Sequence, residues 1–274
     1  MVLLSTAYFP PLSWFALAAR DMTLSPDRVF PSVAALEACE NYQKQSYRNR
    51  CYILASDGPQ MLQVPVVHGG KGALRSHPGD GDSSIAEAVL EGGTSPANIC
   101  SVRVDYSTPW IVRTERALDT AYETSAYYEY YRDSLFPLLE AHPQTLWELN
   151  LSLIHWCLDR SGIACDLVPT DSFCPPADAP SARWTALARP EGPGNTLPED
   201  LSAGRPLADD YRYAIHPKRP DTVLADLGLE RPYYQVFRDR LGGFTSRLSI
   251  LDLLFNEGPD SILWLTRPAS PCNL

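Results

Sequence analysis

The chain opens with VLLSTAY at Val2–Tyr8, breaks at Phe9-Pro10-Pro11, and resumes as SWFALAAR. This succession constrains the fold more than any other stretch. An uncharged, largely aliphatic run of this length reads as a short buried strand covering residues 2–8. Two consecutive prolines cannot continue it. The segment after them has helical character, with Ser13 placed near its N-cap. Strand, turn and helix in that order begin an α/β unit. The same stretch looks superficially like a signal peptide. Its first positive residue is Arg20 and Pro10-Pro11 interrupt the apolar run, so it is read as mature fold.

Further along, SYRNRCYILA and QMLQVPVVH flank Asp57-Gly58, which predicts a hairpin. Residues 69–97 are rich in Gly, Ser, Asp and Pro and read as a surface loop. ICSVRVDY alternates and reads as another strand. Helical spacing follows at Trp110, Thr114, Leu118, Ala121 and Tyr122, and again over about 127–140. The clearest helix is about 146–160. Thr145 and Glu148 make a capping-box pattern, and Gly162 is placed to end it. ACDLVP then reads as a strand. Residues 169–220 hold ten prolines and form a long irregular connection. A last helix starts at Ser249 and stops at Gly258-Pro259. The expected fold is α/β: a mixed sheet with flanking helices, an N-terminal strand-turn-helix unit and a long proline-rich loop. One domain, 1–274, contains the irregular insertion 169–220.

Charge narrows the partners. The 274 residues carry a net charge of -10, which opposes binding to nucleic acid or an anionic membrane. No apolar run is long enough to predict a membrane-spanning helix. The seven cysteines, Cys39, Cys51, Cys100, Cys157, Cys165, Cys174 and Cys272, contain no C-x-x-C pair. That pattern predicts neither a zinc site nor a disulfide framework, and a reducing cytosol fits it best. The histidines show no H-x-x-x-H spacing, so no metal is expected. The dinucleotide, P-loop and nucleophile-elbow fingerprints are absent, and nothing in the sequence names a cofactor.

Against this acidic background, ENYQKQSYRNR at Glu40–Arg50 gathers two tyrosines, one lysine and two arginines. An extended backbone would put Tyr42, Lys44, Ser46, Arg48 and Arg50 on one face, with Tyr47 and Asn49 opposite. Such a face is either a solvated basic strand or a cradle for an anionic small molecule, because guanidinium forks suit phosphate and carboxylate. Near the C-terminus, Ser249, Asp252 and Asn256 share one face of a helix that is otherwise apolar. Asp252 is therefore expected to be buried, and Arg48 or Arg50 are candidate counter-charges. In DYRYAIHPKRP, His216 is a candidate acid or base, or a loop residue that caps and packs locally.

AYFPPLSWF, YQKQSYRNRCYI with LQVPV, DYSTPWIVRTERALDTAYETSAYYEYY, and YYQVFRDRLGGFTSRLSILDLLFNEGPDSILWL occur in this order. Together they resemble the WbqC-like family of bacterial proteins. The resemblance implies a cytosolic protein linked to surface-polysaccharide (O-antigen) gene clusters, one that transfers an aminoacyl or acyl group onto a nucleotide- or lipid-linked sugar, or a non-catalytic sugar- or nucleotide-binding accessory protein. It matches Tyr8, Phe9 and Pro10 to an opening motif, Lys44, Tyr47, Asn49 and Arg50 to a central motif, and Asp252 and Asn256 to a closing motif. Arg48 lies outside the matched positions and is expected at the surface. The family's opening histidine is replaced by Ser5-Thr6-Ala7. The expected catalytic residues are Asp252 and His216. The expected ligand-binding residues are Tyr8, Tyr42, Lys44, Tyr47, Asn49, Arg50 and Asn256, around an anionic ligand such as a nucleotide-sugar.

Overall fold

The structure, a computed structural model, describes residues 1–25, 28–67, 97–174 and 209–266. The glycine-rich 69–96 stretch, most of the proline-rich insertion and His77 lie outside these residues. Strand β1 (Val2–Ser5) leads through Pro10-Pro11 into helix α1 (Leu12–Ala19), as the opening of the chain predicts. Pro11 occupies the N-cap without a side-chain bond, so Ser13 does not cap the helix. Nearly every residue of α1 is buried, as an apolar helix must be. A small hairpin of β2 (Thr23–Ser25) and β3 (Arg28–Phe30) follows, then β4 (Ser32–Glu37).

The expected hairpin forms as β5 (Arg50–Ala55) and β6 (Gly58–Gln63), in antiparallel register from Arg50↔Gln63 to Ala55↔Gly58. Gly58 turns the chain with φ of 126°, a region open to glycine. ICSVRVDY does not form a strand. Ile99–Ser101 make a 3-10 turn capped by Asn98, and the rest holds only single bridges, Val66↔Val104 and Arg103↔Thr145. Its alternation served burial in a loop: Ile99, Val102 and Val104 point into the core while Ser101 and Arg103 face out.

Three helices follow: α2 (Trp110–Tyr122), α3 (Tyr128–Glu140) and α4 (Leu146–Ser161). Both halves of the α4 capping box are made, and Gly162 ends the helix at φ 73°. Then come β7 (Cys165–Pro169), β8 (Asp209–Asp210), α5 (Val223–Asp226), α6 (Ile250–Glu257) and α7 (Ser261–Thr266). The fold class is α/β. Parallel and antiparallel strands occupy separate sheets: the four-stranded sheet runs β7-β4-β1-β8, with every pairing parallel.

That strand order carries a functional consequence. From β1 the chain builds outward through β4 to β7, then crosses back to lay β8 on the other side of β1. Strand order therefore reverses between β1 and β8. In open parallel sheets, the crevice beyond the carboxyl ends at such a reversal is where ligands bind.

Candidate functional site

The basic segment does not form an extended face. Ser46 accepts a hydrogen bond from the Arg48 amide and starts a 3-10 turn over Tyr47–Asn49, after which Arg50 enters β5. The turn divides the side chains. Asn49 and Arg50 line one hollow, and Tyr47 and Arg48 line another.

Three distant segments meet around this turn through backbone bonds. Tyr8 N donates to Tyr47 O at 2.9 Å, Ile250 N to Pro10 O at 3.0 Å, and Ser249 N to Tyr52 O at 2.8 Å. The Tyr8 turn, the β5 segment and the N-terminus of α6 thus form one scaffold.

The larger hollow, about 400 Å³, is lined by residues that include Tyr42, Lys44, Gln45, Asn49, Arg50 and Asp105. Arg50 is its most informative residue. It is half-buried, has no ion pair among the described residues, and keeps a buried Nε without a hydrogen-bond partner. A guanidinium that lines a hollow without an ion pair is set up for an acceptor there. Lys44 is exposed beside it. Partial burial raises the Tyr42 hydroxyl pKa, and the charges of Arg50 and Arg48 pull it back. Asn49 is fixed by its Nδ2 donating to Val64 O at 2.9 Å. Gln45 holds the strained φ of 60°, and Lys218 reaches across to its side chain. Strain at a pocket wall persists only where surrounding structure enforces it.

Arg48 is not at the surface. It is 4% exposed, and its Nε donates to Glu40 Oε1 at 2.8 Å while Nη2 reaches both Glu40 Oε2 and Ser5 Oγ. Glu40, eight residues back, is itself buried, so the pair seals itself internally. A second buried group lies nearby. Arg212 donates to Glu37 Oε2 at 2.7 Å and forks onto both oxygens of Asp210.

Asp252 is fully buried, as its helix face predicts, and its partners are not arginines. Tyr233 OH donates to it at 2.6 Å, Gln235 Nε2 at 2.8 Å and Tyr122 OH at 2.9 Å. Burial raises its pKa to about 6, and the three hydrogen bonds pull the other way. Tyr122 OH also accepts from Leu54 N, which ties this network to β5. Asn256 Nδ2 donates back to Asp252 O within α6. Tyr8 is likewise fully buried, in the core beside Phe9. Burial carries its hydroxyl pKa well above the usual value.

His216 lies on the segment that Arg247 holds through the carbonyls of His216, Pro217 and Arg219. Partial burial lowers its pKa, and the fields of Arg219, Arg48, Lys218 and Arg50 lower it further. Its imidazole is therefore neutral at pH 7, with Nδ1 accepting from Lys218 N at 3.1 Å. Tyr47, whose hydroxyl pKa burial raises to about 12, is 7% exposed.

Of the residues expected from the sequence, Tyr42, Lys44, Asn49 and Arg50 share the hollow. Tyr47 borders the neighbouring one, and His216 sits in the same positive field. Tyr8, Asp252 and Asn256 stand behind, in the core. Sequence reasoning missed Glu40, Glu37, Arg212 and Thr6, which surround the carboxyl ends of the parallel strands. The strand-turn-helix opening was the signal that marked that end of the sheet. Among the described residues, no group of three or more His, Cys, Asp or Glu could hold a metal ion. No helix among them is long and apolar enough to cross a membrane.

A family model described as the WbqC-like protein family matches residues 74–263. The matched stretch contains the Asp252 helix and His216 and begins after the Tyr8 and Arg50 segments. A protein of Mycobacterium tuberculosis, named only as uncharacterized, is 26% identical over 226 residues, covering 80% of this chain and 81% of that one. No solved structure matches the chain.

Proposed function

The chain belongs to the WbqC-like protein family, and from that premise we propose that it is a transferase of bacterial surface-polysaccharide (O-antigen) biosynthesis, working in the cytoplasm. It binds an anionic small molecule, a nucleotide- or lipid-linked sugar, and moves an aminoacyl or acyl group onto it. The observation that carries this reading is Arg50: a half-buried guanidinium with an unmet donor, lining a hollow beside Lys44 and Tyr42 in a strongly acidic chain.

Each residue then has a physical role. Arg50 and Lys44 hold phosphate oxygens, the first as a fork and the second as a point charge. Tyr42 offers a ring face and a hydroxyl. Neutral His216 takes the proton of the attacking sugar hydroxyl as the acyl carbon bonds to that oxygen and the donor group leaves. Asp252 serves as a positioning residue, because its three bonds fix Tyr122 and through it the backbone of β5.

The test is calorimetric titration of UDP and UDP-glucose into the parent chain and a folded Arg50→Ala variant. A charge-assisted bond is worth about 1.5–3 kcal/mol, so the variant should bind roughly ten- to hundredfold more weakly. Equal affinity of the two proteins overturns the reading. A second reading, a binding accessory protein without chemistry, is favoured by Ser5-Thr6-Ala7 standing where the family resemblance leads one to expect a histidine. Mass spectrometry of UDP-glucose incubated with an activated amino-acid donor separates the two: a mass gain on the sugar marks the transferase.

A further inference from the structure

The second hollow lies at the reversal of strand order. Ser5, which ends β1, and Thr6 and Ala7, which follow it, form one wall, and Tyr211 and Arg212, which follow β8, form the other. Tyr47, Arg48 and Ile215 close it. Its volume is about 20 Å³, room for one or two water-sized groups.

Two features define what fits. The first is Thr6. Its side chain is 1% exposed and its hydroxyl has no hydrogen-bond partner, although the residue lines the hollow, whose wall is otherwise partly apolar through Leu4, Pro11 and Trp14. A buried hydroxyl without a partner costs about 1–3 kcal/mol, so a partner that enters the hollow is favoured. The second is charge. Both arginines of the wall are already held, Arg48 by Glu40 and Arg212 by Glu37 and Asp210. Two cations against three carboxylates leave no attraction for a further anion. The Ser5 hydroxyl is already bonded to Glu40 and Arg48, so the remaining guanidinium hydrogens and the Thr6 hydroxyl are what suit a small neutral group that both donates and accepts.

We propose that this crevice is a subsite for a single neutral alcohol group, a hydroxyl or hydroxymethyl of a polyol, with Thr6 as its specificity-determining contact. The subsite is separate from the Arg50 hollow and stands without it. The turn Tyr47–Asn49 divides the two, so anion and alcohol are recognised on opposite sides of one structural element.

Glucose and inorganic pyrophosphate are the probes, in NMR titrations and crystal soaks of the full chain. Glucose should place a hydroxyl about 3 Å from Thr6 Oγ1. Thr6→Val, which removes the hydroxyl and keeps the shape, should weaken glucose roughly five- to tenfold. Thr6→Ser should retain it. Urea unfolding should find Thr6→Val no less stable than the parent, because the unmet hydroxyl is gone. Water alone at Thr6 in the glucose soak overturns the proposal, as does equal glucose affinity of parent and Thr6→Val. Pyrophosphate in the crevice overturns it as well, since the charge reasoning would then be wrong. Pyrophosphate missing from the Arg50 hollow sinks the anion reading alone, because glucose tests the crevice independently.

Discussion

Replacing Tyr233 by Phe removes one hydroxyl and keeps the ring packed against Phe244 and Trp264. The lost bond is the shortest of the three that reach Asp252, at 2.6 Å. To an ionised carboxylate such a bond is worth about 1.5–3 kcal/mol, and to the protonated acid about 1 kcal/mol. Because burial already raises the Asp252 pKa to about 6, the group is protonated at pH 5 and ionised at pH 8. The folded state thus holds the proton more tightly than the unfolded chain does. The stability this contributes is fully present below the unfolded value, about 3.9, and is lost as pH rises through about 6. Removing a donor raises the folded pKa further, and each tenfold change costs about 1.4 kcal/mol once the group ionises. The variant should therefore lose about 1 kcal/mol at pH 5 and about 2–3 kcal/mol at pH 8. Urea unfolding followed by tryptophan fluorescence at both pH values reads the gap, provided the slopes stay equal. A gap that is the same at the two pH values, or larger at pH 5, refutes the reasoning.

Arg48→Ala should cost about 3–5 kcal/mol, measured by the same unfolding assay, because it strands Glu40 as a buried charge; a loss below about 1 kcal/mol would return Arg48 to the surface role expected from the sequence. Gly258→Ala should lose about 2 kcal/mol or more in thermal or urea unfolding. The added methyl would meet the Tyr127 ring at 2.5 Å in a backbone held at φ 57°. A variant as stable as the parent would show that this ring moves freely.

The legible parts of the fold were those coded locally. The Thr145–Glu148 box, the Pro10-Pro11 break and the Ser249 cap each lie within four residues of what they control. The 3-10 turn at Tyr47 was also local, and Ser46 bonding to Arg48 N was its available signal; the pattern of alternating cations masked it. What stayed hidden depends on distant residues. Asp252 finds Tyr122 across 130 positions, and Arg212 finds Glu37 across 175. Helical periodicity shows that Asp252 must be neutralised or bonded, and it has no means of choosing arginine or tyrosine as the partner. Thr6 escaped for the same reason: its neighbours are set by where β8 lands in the sheet.

Two of the three backbone bonds of this scaffold, Ile250 to Pro10 and Ser249 to Tyr52, join early and late parts of the chain, while Tyr8 to Tyr47 is made within its first fifty residues. A ribosome adding about 5–20 residues per second delivers Ser249 roughly 10 to 50 seconds after Pro10. Through that interval the first strand and its proline turn have no partner at α6, and contacts so far apart close late in folding. The junction of the proline turn, β5 and α6 is thus among the last features to form during synthesis, and a nascent chain cut short before Ser249 lacks the helix that completes that scaffold.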